Sequence, residues 1–558
     1  MSQSKQDIVP VIPLRGSVSA SGDLMPLSYI AGAIQGSPDV YVRVGGQRGR
    51  ESLEESSIVP IVLGPKEGLS LINGTAAAAA VASLGCYEAN QLAVMSQLLT
   101  ALSSEALYAN NEWAHPFIAA TRPHQGQIEA AQNIRTFLKG SKLSYGLEQT
   151  KDRFSSGLAQ ERYKLRSSPQ WLSPQLEDLL SAEKQLHVEL NSTSDNPVVN
   201  VLDKDIHCGA NFQATAVTSA TEKIRLALQS IGKMLFSQTT EMINNDLSNG
   251  LPPNLATDDP SLSFCLKGLD VNTAAYTSEL GFLANPVSNH VQSAEMHNQG
   301  INSLALLSAR QTMSAVEVLS LIVANCLYTG CQGVDLRALH RTFIASLEDP
   351  ARQLITSFLT GENSPIPVEH EFFTSFWKLF EEARYDAAAY DAADRARKAT
   401  ESLSIAILAH ADRIPAILSI VTVAELSTAF EALVLNSYLN HRDAFFRKPT
   451  TSEYLGLGTK QIYLFVRETL GVPLHRGLIE HPVAGDKGAN KIDGRPKKTI
   501  GSWVSIIYEA VRDGTLYSET FEFLQAREDA NGSNGTQGSK GSNGVQNGAS
   551  LQILLAST

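Results

Sequence analysis

The pattern with the most distinctive possible chemistry is the tripeptide Ala20, Ser21 and Gly22 near the start of the chain. Such a tripeptide can cyclise when the glycine nitrogen attacks the alanine carbonyl, and two dehydrations then convert the serine into an exocyclic methylidene. Glycine allows the tight backbone turn, serine supplies the hydroxyl that leaves, and alanine adds no bulk. The tripeptide alone is a weak signal, because ordinary turns contain it by chance.

The common signatures of other enzyme classes are absent from the chain. It contains no Gly-x-x-x-x-Gly-Lys-Ser/Thr phosphate loop, no Gly-x-Gly-x-x-Gly after a strand, and no His-x-x-x-His pair among its twelve histidines. The segment Gly16–Gly22 resembles a nucleophile elbow, but none of its serines has a glycine both two residues before and two residues after it. The sequence therefore argues against nucleotide-binding, zinc-hydrolase and serine-hydrolase functions.

Charge and cysteine content indicate which binding partners and which cellular compartment to expect. The 558 residues carry a formal charge of −12, from 45 Lys and Arg against 57 Asp and Glu, and no compact basic cluster offers a nucleic-acid face. The five cysteines form no Cys-x-x-Cys pair, which argues against a disulfide framework or structural zinc and favours a cytoplasmic location. We expect no membrane partner, because the N-terminus has no apolar signal region and the apolar stretch Ser402–Leu426 is interrupted by charges and a proline.

The elements that must position these residues are predicted to be mostly helices. Long proline-free runs predict helices over Thr75–Tyr108, Asn211–Leu247 and Val287–Asp335. Strand signals are confined to short runs such as Val40–Val44 and Ile58–Leu63. The pattern predicts an all-α fold with an elongated central helical bundle and a small mixed domain.

A polar stripe marks the third predicted helix. Val291, Glu295, Gln299 and Asn302 recur at spacings of three and four residues, so they would share one helix face. Polar side chains flanked by apolar neighbours are unusual on a core helix. A solvated face and a polar network between subunits both explain the stripe.

Six segments together resemble one family, the aromatic amino acid ammonia-lyases, which includes histidine and phenylalanine ammonia-lyases. The segments follow the family's order and are Pro13–Ser28, Lys66–Thr75, Gln160–Gln170, Asn191–Pro197, Gly209–Gln213 and Glu295–Gln299. The resemblance extends from about Val9 to about Leu524. A long insert and the segment Gly477–Lys487 are similar to the eukaryotic, fungal-like phenylalanine branch.

The resemblance implies an activity and a prosthetic group. We expect a homotetramer that converts L-phenylalanine to trans-cinnamate and ammonia. The electrophile would be a 4-methylidene-imidazol-5-one formed from Ala20, Ser21 and Gly22, with no metal and no external organic cofactor. Positive helix ends would stabilise the electron density that this ring gains.

The resemblance also implies ligands for the substrate carboxylate. Arg166 matches the arginine that grips it with two parallel, charge-assisted hydrogen bonds, although an arginine three residues after Tyr163 could instead pair with a neighbouring acid. Asn196 would assist, although an Asx turn before Pro197 also explains it. Asn73 matches an amide near the prosthetic group. Without that role it would be only the N-terminal cap of the Ala-rich helix.

Further roles follow from the same resemblance. Tyr163 matches a catalytic tyrosine close to the prosthetic group and the migrating proton, and Gln160 matches an amide beside it. Phe212 matches an aromatic ring next to the group. Leu24 would form an apolar wall beside the amine, and Lys267 would be a more distant polar neighbour.

The polar stripe gains a third explanation from the resemblance. Glu295 would face the substrate amine, and Gln299 would donate or accept a hydrogen bond near the prosthetic ring. In this interpretation both side chains belong to the active site rather than to a solvated surface.

The sequence starts about twenty residues before Ser21, whereas the family carries an N-terminal section with a mobile loop and its tyrosine general base. A gene-model artefact, a partner chain that supplies the section, and a decayed paralogue all explain this. Three functional alternatives therefore stay open beside the lyase: a phenylalanine aminomutase, a tyrosine ammonia-lyase, and a non-catalytic truncated subunit that associates with full-length paralogues.

The domain organisation is predicted from local composition and from the family resemblance. It is a remnant of the prosthetic-group domain over 1–74, a central helical bundle over 75–334, an inserted helical shielding subdomain over 335–451, a C-terminal helical part over 452–528, and a disordered low-complexity tail over 529–558.

Overall fold

The computed structural model describes residues 8–44, 59–147, 158–194, 196–359, 370–410, 420–483, 490–518, 520 and 524. Helices dominate this part of the chain and are named α1 to α15 in order: Leu24–Ile34, Glu67–Ile72, Ala76–Ala106, Pro116–Thr121, Gln125–Leu138, Tyr163–Arg166, Ser168–Leu190, Thr215–Ile243, Lys267–Leu283, Ala305–Leu359, His370–Asp386, Ala392–Ala409, Ile420–Arg447, Leu457–Leu464 and Ile500–Arg512. The prediction of an all-α fold is confirmed.

The strands of the described residues form three small antiparallel pairs. Their bounds are Ile8–Pro10 with Val42–Val44, Val198–Asn200 with Asp205–His207, and Lys491–Ile492 with Arg495–Pro496. The strand predicted over Val40–Val44 is thus present from Val42 onwards. The strand predicted over Ile58–Leu63 is wrong for Val59–Leu63, and Ile58 lies outside the described residues. There the backbone makes one long-range hydrogen bond, from Ile61 N–H to the carbonyl of Ile34 (3.1 Å), and Val62 is 92% exposed.

Two of the three predicted long helices are confirmed, and the third is shifted. Helix α3 covers Ala76–Ala106 and α8 covers Thr215–Ile243, close to the predicted bounds. The prediction of helix over Val287–Asp335 is wrong for its first part, because α10 begins only at Ala305. The preceding segment is irregular, with a short 3-10 turn at Ser288–His290.

Helix α10 does not extend back to Val287 because the segment before it contains a run of left-handed backbone. Glu295, Met296 and His297 have φ angles of 52°, 52° and 71°, which a right-handed helix cannot contain. Ala294 and Gln299 bond to each other through both backbone N–H groups, at 3.1 and 3.2 Å, and so close a tight loop. The polar stripe predicted on one helix face therefore does not exist as a helix face.

The chain divides into two compact units. The first unit comprises Met1–Ala93, Pro174–Gly232 and Thr277–Leu319, and the second comprises Val94–Ser173, Lys233–Tyr276 and Ser320–Thr558. The five predicted domain ranges stay predictions, and the boundary predicted at residue 335 falls inside α10. The predicted disordered tail at 529–558 lies outside the described residues.

Within the first unit, close packing fixes the start of α10. The guanidinium of Arg225 is fully buried and donates to the carbonyl oxygen (2.9 Å) and the hydroxyl (2.6 Å) of Ser308. A Cβ on Gly85 would lie 3.1 Å from Cγ2 of Thr312, so glycine allows α3 to pack closely against α10. These contacts hold the N-terminal end of α10 in a defined position.

Within the second unit, an aromatic core joins the C-terminal part of α10 to α11, α12 and α13. Phe343, Phe376, Phe380, Leu403 and Phe430 are all fully buried in it. Burial of side chains of this size stabilises each by about 1.5–3 kcal/mol, which accounts for the packing of these amphipathic helices.

Two helices of the described chain are long and apolar enough to span a membrane by length and composition alone. Their apolar segments are Glu67–Ala106 and Ala305–Phe358. In the second, 83% of the most apolar window is buried inside the protein, as in the core helices of soluble proteins. The expectation of no membrane partner stays a prediction.

Candidate active site

The tripeptide Ala20, Ser21 and Gly22 lies in a tightly bent loop of the first unit. Ser21 and Gly22 both have left-handed backbone, with φ of 52° and 76°, and Ala20 is buried with 3% exposure. A Cβ on Gly22 would lie 2.3 Å from the backbone nitrogen and from the carbonyl oxygen of Gly74. Only glycine fits there, both for its conformation and for the space.

A buried carboxylate anchors this loop. The Oδ1 atom of Asp23 accepts hydrogen bonds from the hydroxyls of Ser17 (2.9 Å) and Ser19 (2.5 Å), and its Oδ2 accepts from the backbone N–H of Ala78 (2.7 Å). Ala78 is the third residue of α3, so the carboxylate lies at the positive end of that helix. Burial raises the pKa of Asp23, and these hydrogen bonds oppose the increase.

The start of α10 holds the other side of the loop. Ser303 donates from its hydroxyl to the carbonyl oxygen of Ser19 (2.9 Å), and the N–H of Leu306 donates to the hydroxyl of Ser19 (3.0 Å). The N–H of Leu304 donates to the carbonyl of Val18 (3.0 Å). The N-terminal ends of α3 and α10 therefore both contact the loop that carries the tripeptide, and both provide positive potential there.

Two predicted site residues place side-chain amides on Ser21. Asn73 follows α2 and donates from Nδ2 to the carbonyl oxygen of Ser21 over 2.8 Å. Gln299 donates from Nε2 to the hydroxyl of Ser21, also over 2.8 Å. The Oδ1 atom of Asn73 is buried and has no hydrogen-bond partner in the part of the chain that the structure describes. The structure thus brings these two side chains to the tripeptide, and their catalytic roles stay predictions.

Four other predicted residues of the first unit have different surroundings. Glu295 is exposed on the left-handed loop and accepts a hydrogen bond from Nδ2 of Asn298 (2.9 Å). Leu24 is half-buried and begins α1 immediately after the loop. Asn196 and Phe212 are also half-buried. In the described part of the chain, none of these four makes a side-chain hydrogen bond to Ser21.

The second unit contains Gln160, Tyr163 and Arg166, the last two at the ends of the four-residue helix α6. Gln160 is exposed, and the ring of Tyr163 is 72% exposed and lies 5.6 Å from the guanidinium carbon of Arg166. Among the described residues, the buried Nε of Arg166 has no hydrogen-bond partner, and no carboxylate forms an ion pair with this arginine. The alternative of pairing with a neighbouring acid therefore has no support among those residues.

Lys267 also belongs to the second unit and begins α9. Its Nζ lies 4.6 Å from the centre of the Phe264 ring, a cation–π contact at an exposed position. Its predicted role as a polar neighbour of the site stays a prediction.

The residues that hold the loop were not predicted from the sequence. Asp23, Ser19 and Ser303 have no role in the predicted site, although Asp23 is the central acceptor of the loop. One signal was present: an acid directly follows Gly22, and the hydroxyl residues Ser17 and Ser19 precede it at short spacing. Small polar side chains at such spacing commonly hydrogen-bond locally.

Comparison with known proteins defines the class. Residues 2–356 match the family described as aromatic amino acid lyase. Phenylalanine ammonia-lyase of Cochliobolus lunatus is 49% identical over 533 residues, which are 91% of this chain and 72% of that protein. The chain therefore belongs to the aromatic amino acid lyase family, whose members are carbon–nitrogen lyases.

Two further relatives refine the comparison. A phenylalanine aminomutase (L-beta-phenylalanine forming) of Talaromyces islandicus is 46% identical over 520 residues, covering 92% of this chain and 72% of that protein. A crystal structure of phenylalanine ammonia-lyase from Rhodosporidium toruloides superposes with a TM-score of 0.83 at 39% identity, covering 93% of this chain and 78% of that one. The family membership inferred from the six sequence segments is confirmed.

Proposed function

We propose that the chain eliminates ammonia from L-phenylalanine to give trans-cinnamate. The observation that carries the proposal is the bent Ala20, Ser21 and Gly22 loop, whose Ser21 receives amide hydrogen bonds from Asn73 and Gln299. The choice of substrate is supported by relatives named phenylalanine ammonia-lyase at 47–49% identity.

The residues of the loop fit the prosthetic group that the family implies. Left-handed backbone at Ser21 and Gly22 folds the chain back on itself, as cyclisation requires, and the absence of a Cβ lets Gly22 lie against the backbone of Gly74. The unpartnered Oδ1 of Asn73 is a buried acceptor that a rearranged loop could use. Once formed, a 4-methylidene-imidazol-5-one supplies an electrophilic carbon. The chain would need no metal and no external organic cofactor.

The side chains of this protein then have separate tasks. Gln299 and Asn73 hold the hydroxyl and carbonyl of Ser21 in one orientation. Arg166 binds the substrate carboxylate, since its guanidinium lacks a carboxylate partner among the described residues and its planar edge can donate two parallel hydrogen bonds. Tyr163 is the candidate for moving a proton, because its exposed ring leaves the hydroxyl accessible to substrate.

Roles for the remaining predicted residues complete the proposal. Glu295 would bind the substrate amine through its exposed carboxylate, with Asn196 assisting at the carboxylate. Phe212 and Leu24 would form the apolar walls. Gln160 and Lys267 would contribute polar contacts at greater distance from the reacting atoms.

A second candidate function is amino-group migration. It is favoured by the 46% identical phenylalanine aminomutase of Talaromyces islandicus. Tyrosine is a further candidate substrate, because the phenylalanine/tyrosine ammonia-lyase of Rhodotorula toruloides is 42% identical. Chromatographic detection of β-phenylalanine would identify the mutase, and formation of coumarate would identify the tyrosine activity.

The decisive experiment measures ultraviolet absorbance of arylacrylate products. The purified chain is offered L-phenylalanine, L-tyrosine and L-histidine separately, with Ser21→Ala as the inactive variant and Ser28→Ala as the matched control. Ser28 is exposed, and its hydroxyl donates to the carbonyl of Met25 within α1. We expect cinnamate from the wild type and from Ser28→Ala, and none from Ser21→Ala.

An independent mass measurement tests the prosthetic group without relying on turnover. The peptide that contains Ala20–Gly22 is expected to weigh two water molecules less than its sequence mass. An unmodified peptide together with absent turnover would overturn the lyase and favour the non-catalytic subunit. A modified peptide with a β-amino acid product would favour the mutase instead.

Homotetramer formation and a cytoplasmic location are part of the same proposal. Several exposed apolar side chains on one short hairpin, Val198–His207, including Val201, Leu202 and Ile206, support assembly, because apolar patches on a protein surface often mark contacts with another protein. Light scattering after size-exclusion chromatography would give the mass of the assembly. Fluorescent tagging at the chromosomal locus would test the location.

A further inference from the structure

The segment of residues 287–304, here called the Gln299 loop, brings Gln299 to Ser21 although most of the segment is irregular. Contacts with other elements must therefore hold it in place. One face of α8 provides such contacts through Thr218, Glu222 and Arg225. Their spacings of four and three residues place these side chains on the same side of the helix.

The carboxylate of Glu222 holds the N-terminal end of the Gln299 loop. Its Oε1 accepts hydrogen bonds from the backbone N–H groups of Val287 (2.8 Å) and Ser288 (3.0 Å). Its Oε2 accepts from the hydroxyl of Ser288 (3.2 Å). Hydrogen bonds to an ionised carboxylate are about twice as strong as those between neutral groups. A single side chain thus fixes the direction in which the chain enters the loop.

Arg225 and Thr218 hold the C-terminal end. The hydroxyl of Thr218 donates to the carbonyl of Ser303 over 2.7 Å. Nη1 of Arg225 donates to the carbonyl and hydroxyl oxygens of Ser308, just after the loop. Nη2 of Arg225 donates to the carbonyl of Asn285 (3.3 Å), just before the loop. Arg225 therefore ties together the two segments between which the Gln299 loop extends.

Glu222 and Arg225 also form a pair. They lie three residues apart on α8, with Nη2 of Arg225 4.0 Å from Oε1 of Glu222. The Arg225 side chain is fully buried, whereas that of Glu222 is 20% exposed. Burial lowers the pKa of Arg225 to about 10, and the charge of Glu222 opposes the decrease. The carboxylate thus stabilises the buried guanidinium as well as the loop.

Contacts inside the loop connect its two ends to Gln299. Nδ2 of Asn302 donates to the carbonyl of Gln292. The backbones of Ala294 and Gln299 bond to each other in both directions, at 3.1 and 3.2 Å. Because the ends are held and the interior is cross-linked, the amide of Gln299 has a defined position 2.8 Å from the hydroxyl of Ser21.

We propose that Glu222 and Arg225 are positioning residues of the active site, which hold both ends of the Gln299 loop and so place the Gln299 amide on Ser21. In the described part of the chain their side chains bond to the segments at the ends of the loop and not to Ser21. They act through Gln299. Their role in turnover rests on the proposed function, whereas their hold on the loop does not.

A double-mutant cycle with Gln299→Leu tests whether Glu222 acts through Gln299. Glu222→Ala removes all three acceptor contacts, and we expect kcat per chemically modified chain to fall by about tenfold with KM nearly unchanged, because a small misplacement of a positioned group has effects of this size. In the Gln299→Leu background the same change should lower kcat by less than about twofold. An equal loss of kcat in both backgrounds would overturn the proposal.

A conservative variant and a matched control complete the kinetic test. Glu222→Gln keeps one oxygen that can accept from both backbone N–H groups, so its kcat should stay within about threefold of the wild type. Equal losses in Glu222→Gln and Glu222→Ala would assign the effect to the lost charge beside Arg225 and contradict the positioning role. Glu317→Ala is the control, because Glu317 is exposed on α10 of the same unit. Its kcat should equal that of the wild type.

Hydrogen exchange followed by mass spectrometry measures the hold on the loop without substrate. In Glu222→Ala we expect faster exchange in peptides that cover residues 287–304, and unchanged exchange in peptides of α3. Unchanged exchange in the loop, or a uniform increase over the whole first unit, would overturn the proposal. If Glu222→Ala does not fold, Arg225→Lys takes its place in both experiments, because one ammonium cannot reach Asn285 and Ser308 together.

The two experiments separate this proposal from the proposed function. A wild type that forms no arylacrylate would count against the lyase, and hydrogen exchange alone would then decide whether α8 holds the loop. An active wild type whose kcat and loop exchange are both insensitive to Glu222→Ala would leave the lyase standing and refute the positioning role.

Discussion

The side-chain amide of Gln299 donates a hydrogen bond of 2.8 Å to the hydroxyl of Ser21, although 278 residues separate them along the chain. Serine must lose this hydroxyl if the tripeptide is to become a methylidene-imidazolone. The contact therefore joins the predicted electrophile to a loop that the sequence pattern assigned to a helix. Both residues lie in the first unit, so the fold of this unit alone determines the distance between them.

Replacement of Gln299 tests this contact. Gln299→Leu removes the amide donor, and we expect turnover to fall by about 10- to 100-fold, the loss of one positioned hydrogen bond at a reacting group. Gln292→Leu is the control, because Gln292 is exposed in the same irregular segment. Equal activity of the two variants would contradict a role for Gln299.

The glycine of the tripeptide should be irreplaceable for reasons of both space and conformation. Gly22→Ala places a Cβ 2.3 Å from backbone atoms of Gly74 at a φ of 76°. We expect an unprocessed tripeptide and a free energy of unfolding lower by about 1–3 kcal/mol. Peptide mass and urea unfolding measure the two effects.

Gly140→Ala provides the matched control for that variant. Gly140 has a similar φ of 79°, but, its chain neighbours apart, no atom of the described residues lies within 4 Å of the position that a Cβ would take there. This variant should lose only about 1 kcal/mol, the conformational part of the effect. An equal loss of stability in both variants would show that crowding against Gly74 is unimportant.

The stability of the protein should depend on the protonation of Glu105. Burial raises the pKa of this carboxyl from 4.5 to about 7, although Oε1 accepts a hydrogen bond from the N–H of Gly456 (2.7 Å). The folded chain therefore holds a proton that the unfolded chain has released. Its contribution to stability is full below pH 4.5 and is lost as the pH rises through about 7, by up to about 3 kcal/mol.

Glu105→Gln should remove that dependence. Above pH 7 the variant is expected to unfold at higher urea concentration than the wild type, whereas below pH 4.5 the two should be similar. Glu468→Gln, at an exposed position of the same unit, is the control and should follow the wild type. Parallel pH profiles of wild type and Glu105→Gln would refute the assignment.

Recognition of the substrate carboxylate should depend on the geometry of Arg166 as well as on its charge. Arg166→Lys keeps the positive charge but cannot donate two parallel hydrogen bonds, so we expect KM for L-phenylalanine to rise by about 10- to 100-fold with a smaller change in kcat. Arg162→Lys is the control, since Arg162 pairs with Glu161 at 2.9 Å. A KM unchanged by Arg166→Lys would remove Arg166 from the binding site.

Local pattern and resemblance predicted much of this protein. Helix α3 follows from an Ala-rich run without proline, where side chains lose little entropy in a helix. The tripeptide at Ala20–Gly22 and the amides of Asn73 and Gln299 were identified through matching segments. Their positions on Ser21 agree with the roles that the resemblance implies, which stay predictions.

Tertiary contacts decided what the pattern could not. The spacing of Glu295 and Gln299 is helical, yet the backbone pairing of Ala294 with Gln299 imposes a left-handed loop, and periodicity cannot distinguish the two. Asp23 became the anchor of the tripeptide only because the folding of α3 brings the N–H of Ala78 to its carboxylate.

Local composition and matched segments were enough to predict the long helices α3 and α8, the family and the residues able to do chemistry. Which of these residues meet depends on the tertiary structure. Arg384 and Arg395, on two different helices, surround one cavity because the aromatic core packs those helices together. Burial and long-range hydrogen bonding depend on contacts between distant segments, which no local pattern contains.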